Sequence, residues 1–149
     1  MGAKMQILTK ISQAPLSIEE ALEFAQASSN GCANLFVGKV RNNNLGREVL
    51  GVSYDAFDPL CINILNEIAD EAIKELDHRL RIYISHFKGK LDIGGISVVI
   101  AVGSPHRDAS FLACRYIIEE LKKRAPIWKK EHYIDGDDDW LLGHELEKQ

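Results

Sequence analysis

Cysteine is scarce in this sequence, with three among 149 residues, and Cys32, Cys61 and Cys114 stand far apart. An odd number of separated thiols in apolar surroundings excludes a secreted disulfide framework and offers no zinc spacing, so they read as reduced core residues. Positive charge is in short supply as well: 18 Lys and Arg face 22 Asp and Glu, for a net charge of -4. That balance argues against nucleic acid as a partner, because a binding surface must neutralise many phosphates. No apolar run is long enough to span a bilayer, and the N-terminus lacks the uninterrupted apolar region of a signal peptide. The expected compartment is the cytoplasm, with no membrane partner.

Several chemistries are missing too. No glycine-rich loop follows a strand in the Walker or dinucleotide pattern, and no serine or cysteine sits in a nucleophile elbow. The five histidines lack zinc-ligand spacing. Residues 135–139 match a fragment of a calcium loop, but Leu146 stands where the bidentate glutamate belongs. No metal and no cofactor is therefore expected.

What is present suits a single domain covering residues 1–149, large enough to bury a core without staples. Met5 to Ile11 reads as a strand. Ser17 caps a helix, with Glu20 three residues on and Ile18, Ala21, Leu22 and Ala25 at helical spacing. Cys32 to Val40 reads as a strand in which Ala33, Leu35 and Val37 alternate with Asn34, Phe36 and Gly38. It leads through Lys39, Val40 and Arg41 into Asn42 to Gly46, a loop rich in residues that tolerate left-handed backbone. Val49 to Phe57 is the next predicted strand, ended by Asp58 as N-cap and Pro59 at the first helical position.

The helix that follows, to about Asp77, places Leu60, Ile64, Leu65, Ile68, Ala72, Ile73 and Leu76 on one stripe. Leu80 to Phe87 alternates Leu80, Ile82 and Ile84 inward against Arg81, Tyr83 and Ser85. Ile96 to Val102 is a continuous apolar run fit for a central strand. Ser104 to Arg107 opens a third helix packing Ala109, Leu112, Ala113, Tyr116, Ile117 and Leu121, and Trp128 to Ile134 forms a last strand. Strand pairs bracketing long helices predict an α+β fold with a largely antiparallel sheet packed against amphipathic helices.

Charge concentrates at one place. Lys122, Lys123, Arg124, Lys129 and Lys130 put five cations within nine residues, split by Ala125-Pro126. Proline ends the helix there, so Lys122 falls on the last helical turn and Lys129 on the strand leaving it, where a reversal can aim both amines into one pocket. Lys123, Arg124 and Lys130 would then crowd these amines and favour a neutral, nucleophilic fraction, or simply hold an anion. A solvated basic helix end, favourable to the macrodipole, is the other reading. His106 and Arg107 at a helix start suit a phosphate or carboxylate, or serve only as cap and surface. They lie roughly 22 to 24 Å from Lys122 at ~1.5 Å rise per residue. One site using both ends must be shared between two chains or hold an extended ligand.

Taken together, these segments closely resemble the large, catalytic subunit of molybdopterin synthase. The likeness runs from Phe36 to Asn42 with Asn44-Leu45-Gly46, through His106-Arg107 and Phe111, to the Leu121 to Glu131 motif. It implies an alpha/beta-hammerhead-like fold and a sulfurtransferase of molybdenum cofactor biosynthesis. Such an enzyme converts cyclic pyranopterin monophosphate to molybdopterin with two sulfurs. The donor is the C-terminal Gly-Gly thiocarboxylate of a small ubiquitin-like carrier subunit. The resemblance implies a homodimer of this chain within a heterotetramer. It assigns Lys122 and Lys129 as catalytic and substrate-binding, and Lys39, Val40, Arg41, His106, Arg107, Lys130 and Glu131 as substrate-binding. The tail departs from the pattern, with His144 where many relatives carry an arginine. The competing reading is a non-catalytic module that binds the carrier or an anionic ligand.

Overall fold

The computed structural model describes residues 5–137 and 139–142. His144 and Leu146 lie outside them, so the readings of the tail and of the calcium-loop fragment carry no structural account. In chain order the elements are β1 (Ile7–Ser12), α1 (Ile18–Ala25), β2 (Cys32–Lys39), β3 (Asn43–Asn44), β4 (Arg47–Ala56), α2 (Asp58–Glu75), β5 (Arg81–Phe87), β6 (Gly89–Asp92), β7 (Ile96–Ser104), α3 (Arg107–Arg124), β8 (Ile127–Tyr133), β9 (Gly136–Asp137) and β10 (Leu141–Leu142). No helix among the described residues is long and apolar enough to cross a membrane.

The mixed α+β architecture is the expected one, but its strands divide between two sheets. A four-stranded sheet runs in the order β1-β5-β7-β2, and a second, six-stranded sheet runs β10-β8-β4-β3 with β6 and β9 paired to its members. Pairing is antiparallel except between β1 and β5, which are parallel. Helices α2 and α3 cover one face of the first sheet, burying Leu65, Ile68, Ile82, Ile100 and Ile117 completely. The short helix α1 covers part of the other face, closing Ala21 and Ala25 over Tyr83, Val99 and Ala101.

These layers correct three local readings, on β5 and α2, and decide which face of β2 is inward. Strand β5 is buried on both faces, so Tyr83 faces α1 and lies within 1% of full burial; the alternation marked a face change, not an exposed side. On β2, Phe36 packs against the core formed with α2 and α3, while Leu35 on the other face is 37% exposed. On α2 the buried stripe is Cys61, Leu65, Ile68, Ala69 and Ala72, whereas Leu60 and Leu76 face outward. The N-cap of α2 is Phe57, and Asp58 sits in the first turn, where its carboxylate accepts from Lys88 at 3.1 Å. Ser17 caps α1 as read, accepting from the Glu20 N–H at 3.1 Å.

A close backbone approach fixes α1 on its sheet. A Cβ at Gly103 of β7 would lie 1.9 Å from the Ala25 carbonyl oxygen at the end of that helix. Only glycine admits this contact.

Candidate active site

Strand β2 ends in a bulge, with its register against β7 shifting between Gly38 and Lys39. Gly38 is required because a Cβ there would meet the Val98 side chain at 2.5 Å. Immediately beyond, the Val40 N–H donates to the Gly95 carbonyl at 2.9 Å and its own carbonyl accepts from Gly94 at 2.8 Å. That reciprocal pair, with burial of the Val40 side chain against Val49, Val52 and Tyr133, clamps the segment and sends Lys39 and Arg41 to a cavity wall.

The opposite wall comes from the proline break. The Ala125 N–H makes the last helical bond, to Leu121 at 3.0 Å, and its backbone is already extended, so the chain turns through Pro126 into β8. Lys122 remains on the final turn of α3 and Lys129 on β8. Both line a cavity of about 270 Å³ together with Lys39 and Arg41. Its inner surface is neutral, made by Phe36, Tyr54, His86, Ser97 and apolar side chains of β7 and α3. A second, smaller hollow shares Lys39, Arg41, Tyr54 and Lys129, and adds Asn44 and Glu131.

The five cations of the basic stretch separate by role. Arg124 turns away to α2, forking onto Glu71 at 2.6 and 2.9 Å, and Lys123 lies 3.7 Å from Glu120. Neither is left to crowd the amines of Lys122 and Lys129, which removes the charge-crowding argument. Lys130 points to the other face of β8, its amine 5.9 Å from the centre of the Trp140 ring.

Glu131 sets the state of Lys129. Its carboxylate is buried and accepts from the Lys129 amine at 3.0 Å, from Asn44 at 3.0 Å and from the Tyr133 hydroxyl. Burial works to raise this carboxyl, but the hydrogen bonds from Tyr133 and Lys129 outweigh it and hold it below its ordinary value. Lys129 therefore has a fixed anionic partner. Among the described residues Lys39, Arg41 and Lys122 have no carboxylate in ion-pair range, so the cavity carries net positive charge and suits an anion.

His106 and Arg107 are elsewhere. They border a separate depression with Gly31 and Cys32 at the start of α3, where Ser104 accepts from the His106 N–H at 3.3 Å and donates to its carbonyl at 2.7 Å. The length of α3 parts them from Lys122 within one chain, as the rise per residue requires. Sequence reasoning overlooked His86, Tyr54 and Ser97. A lone histidine in an apolar strand carries no pattern to distinguish it from a core residue.

Residues 11–124 match the model of the family described as MoaE protein. The chain belongs to that family. Among MoaE relatives, a "Molybdopterin synthase catalytic subunit" from Synechococcus elongatus is 47% identical over 135 residues, covering 91% of this chain and 82% of its own length. Among solved structures, molybdopterin synthase from Staphylococcus aureus superposes with a TM-score of 0.84 at 35% identity, covering 88% of this chain and 94% of that one. A complex of subunits 1 and 2 of molybdopterin-converting factor from Helicobacter pylori contains a chain with a TM-score of 0.72 at 26% identity, 87% of each chain being covered. The MoaE match stops at Arg124, whereas Lys129 lies beyond it, on the strand after the proline.

Proposed function

We propose that this chain is the catalytic subunit of a molybdopterin synthase. It converts cyclic pyranopterin monophosphate to molybdopterin by accepting two sulfurs from the C-terminal thiocarboxylate of a small ubiquitin-like carrier subunit. The observation that carries the reading is the convergence of Lys122 and Lys129, with Lys39 and Arg41, on one cavity. The family membership and the names of its relatives support it.

The residues divide the work by charge. Arg41 and Lys39 hold the substrate phosphate as fixed cations. Lys122, with no carboxylate partner, meets the thiocarboxylate and stabilises the oxyanion that develops as the acyl carbon becomes tetrahedral. Lys129, fixed by Glu131, positions the pterin side. Val40 contributes through its clamped backbone, and Lys130 from the far face of β8 steadies the strand. His106 and Arg107 reach the substrate of a second copy, so that a homodimer completes each site and one carrier docks on each end. The two-subunit complex known from the Helicobacter relative supports a small-subunit partner.

The test is reconstitution. Purified chain, thiocarboxylated carrier and cyclic pyranopterin monophosphate should yield the dithiolene product; tight carrier binding without product would make the chain a binding module.

A further inference from the structure

His86 is 6% exposed, yet it borders the cavity beside Lys122. Its Nδ1 lies 2.8 Å from the Phe87 carbonyl oxygen. A carbonyl can only accept, so Nδ1 carries the proton and Nε2 is a bare lone pair. Among the described residues no donor reaches Nε2. The ring is held edge-on against Tyr54, with centroids 5.0 Å apart and planes at 73°, so it cannot swing away without losing that contact.

Of the other polar side chains that line the cavity, the hydroxyls of Tyr54 and Ser97 can donate or accept, whereas the cations Lys39, Arg41, Lys122 and Lys129 only donate. These recognise a phosphate or thiocarboxylate. They cannot recognise the N–H edge of a heterocycle, which needs an acceptor. Phe36, Tyr54 and Ile118 give the same inner surface the flat, apolar character that a ring system fills.

We infer that His86 Nε2 is a specificity-determining acceptor, taking a hydrogen bond from an N–H donor of the pterin ring while the cations hold its phosphate. The inference rests on the proposed function and deepens it. A neutral imidazole is needed for this task, since an imidazolium would present a second donor. Burial, then the nearby charge of Lys122, outweigh the bond to Phe87 and lower His86 from 6.5 to about 4. The charged and titratable groups around the ring, Lys122 and Tyr54, leave it neutral throughout the physiological range.

The experiment compares wild type, H86F and H86Q by calorimetric titration with cyclic pyranopterin monophosphate, and with sulfate, which carries no proton at neutral pH. Phenylalanine keeps the ring and removes the acceptor; glutamine restores an acceptor oxygen. The expected result is pterin affinity about tenfold weaker in H86F, recovery in H86Q to within about threefold, and unchanged sulfate binding. In wild type, the ¹⁵N resonance of Nε2 should move to the hydrogen-bonded range on adding pterin, a readout that a packing role would leave still. If H86F fails to fold, that resonance decides, and a stationary signal overturns the inference. Equal pterin affinity in wild type and H86F overturns it alone. So does slowed turnover at saturating pterin with unchanged affinity, which would make His86 a positioning residue for Lys122. Wild type that binds no pterin at all overturns the proposed function itself.

Discussion

Lys122 and Lys129 carry the same amine in two electrostatic settings. The Glu131 carboxylate holds Lys129 in place, whereas Lys122 sits at an exposed helix end with no carboxylate partner among the described residues. Truncating the second should therefore remove chemistry and little else. Lys122→Ala is expected to lower kcat by about 10²- to 10³-fold, the cost of losing one oxyanion donor. Its stability should stay within about 0.5 kcal/mol of wild type, as for other exposed substitutions. Single-turnover assays with thermal unfolding check both halves; an active variant would remove Lys122 from the reaction. This residue was legible because proline punctuates the chain so strongly: the helix ends at Arg124 as expected, and the strand begins at Ile127, one residue before the expected Trp128. Glu131 was reached only through its motif, although its spacing of two residues from Lys129 on one strand is what puts both side chains on the same face. His86 was invisible. Its neighbours Ile82, Tyr83 and Ile84 make it look like part of the core, and which way a buried imidazole faces depends on strands distant in sequence.

Between elements, the strongest polar tie joins α2 to α3. Glu71 accepts from Arg124 and Tyr116, and those hydrogen bonds lower its carboxyl from 4.5 to about 2. A group depressed on folding adds stability above its unfolded value and loses it as the pH falls through the folded one. Glu71→Gln should thus destabilise the protein at pH 7, and the difference should shrink below about pH 4.5 and vanish near pH 2. The side chains are 38% and 29% exposed, so solvent screening limits the effect to about 1 kcal/mol or less. Urea unfolding of both proteins across that range would show it; a constant gap would mean that packing, not charge, is lost. The contact of α1 with β7 makes a sterner demand. Gly103→Ala drives a methyl into the Ala25 carbonyl, with no flexible side chain to yield, and should cost about 2–3 kcal/mol. Urea unfolding at neutral pH measures it, and a loss below about 0.5 kcal/mol would mean that α1 relaxes freely. The helix ends were readable from Ser17 and Pro126. The buried stripe of α2 was readable in part: Leu65, Ile68 and Ala72 are buried as expected, but Cys61 and Ala69 join them by close approach while the larger Leu60 and Leu76 face outward. Hydrophobicity ranked these positions the wrong way round.

For the whole molecule, the two-sheet arrangement puts the cavity and the His106 depression at opposite ends of α3. If a second copy supplies His106 and Arg107, two inactive variants can rescue each other. His106→Ala and Lys122→Ala, mixed in equal amounts and allowed to exchange subunits, should recover about a quarter of wild-type turnover, because half of the dimers are mixed and one of their two sites is intact. No recovery after demonstrated exchange would place both residues in one subunit's chemistry or remove His106 from it. The division into two sheets was not legible, since β4 is long and continuous in sequence and only its pairing with β6 and β8 takes it out of the first sheet.

The 18-residue α3 is consequently a measuring rod. Adding or deleting one residue anywhere along it would rotate one end by about 100° against the other and shift it by about 1.5 Å. Loops elsewhere can lengthen without harm, but this span has to keep its count, because both the distance and the angular phase between its two tips are written in the number of its turns.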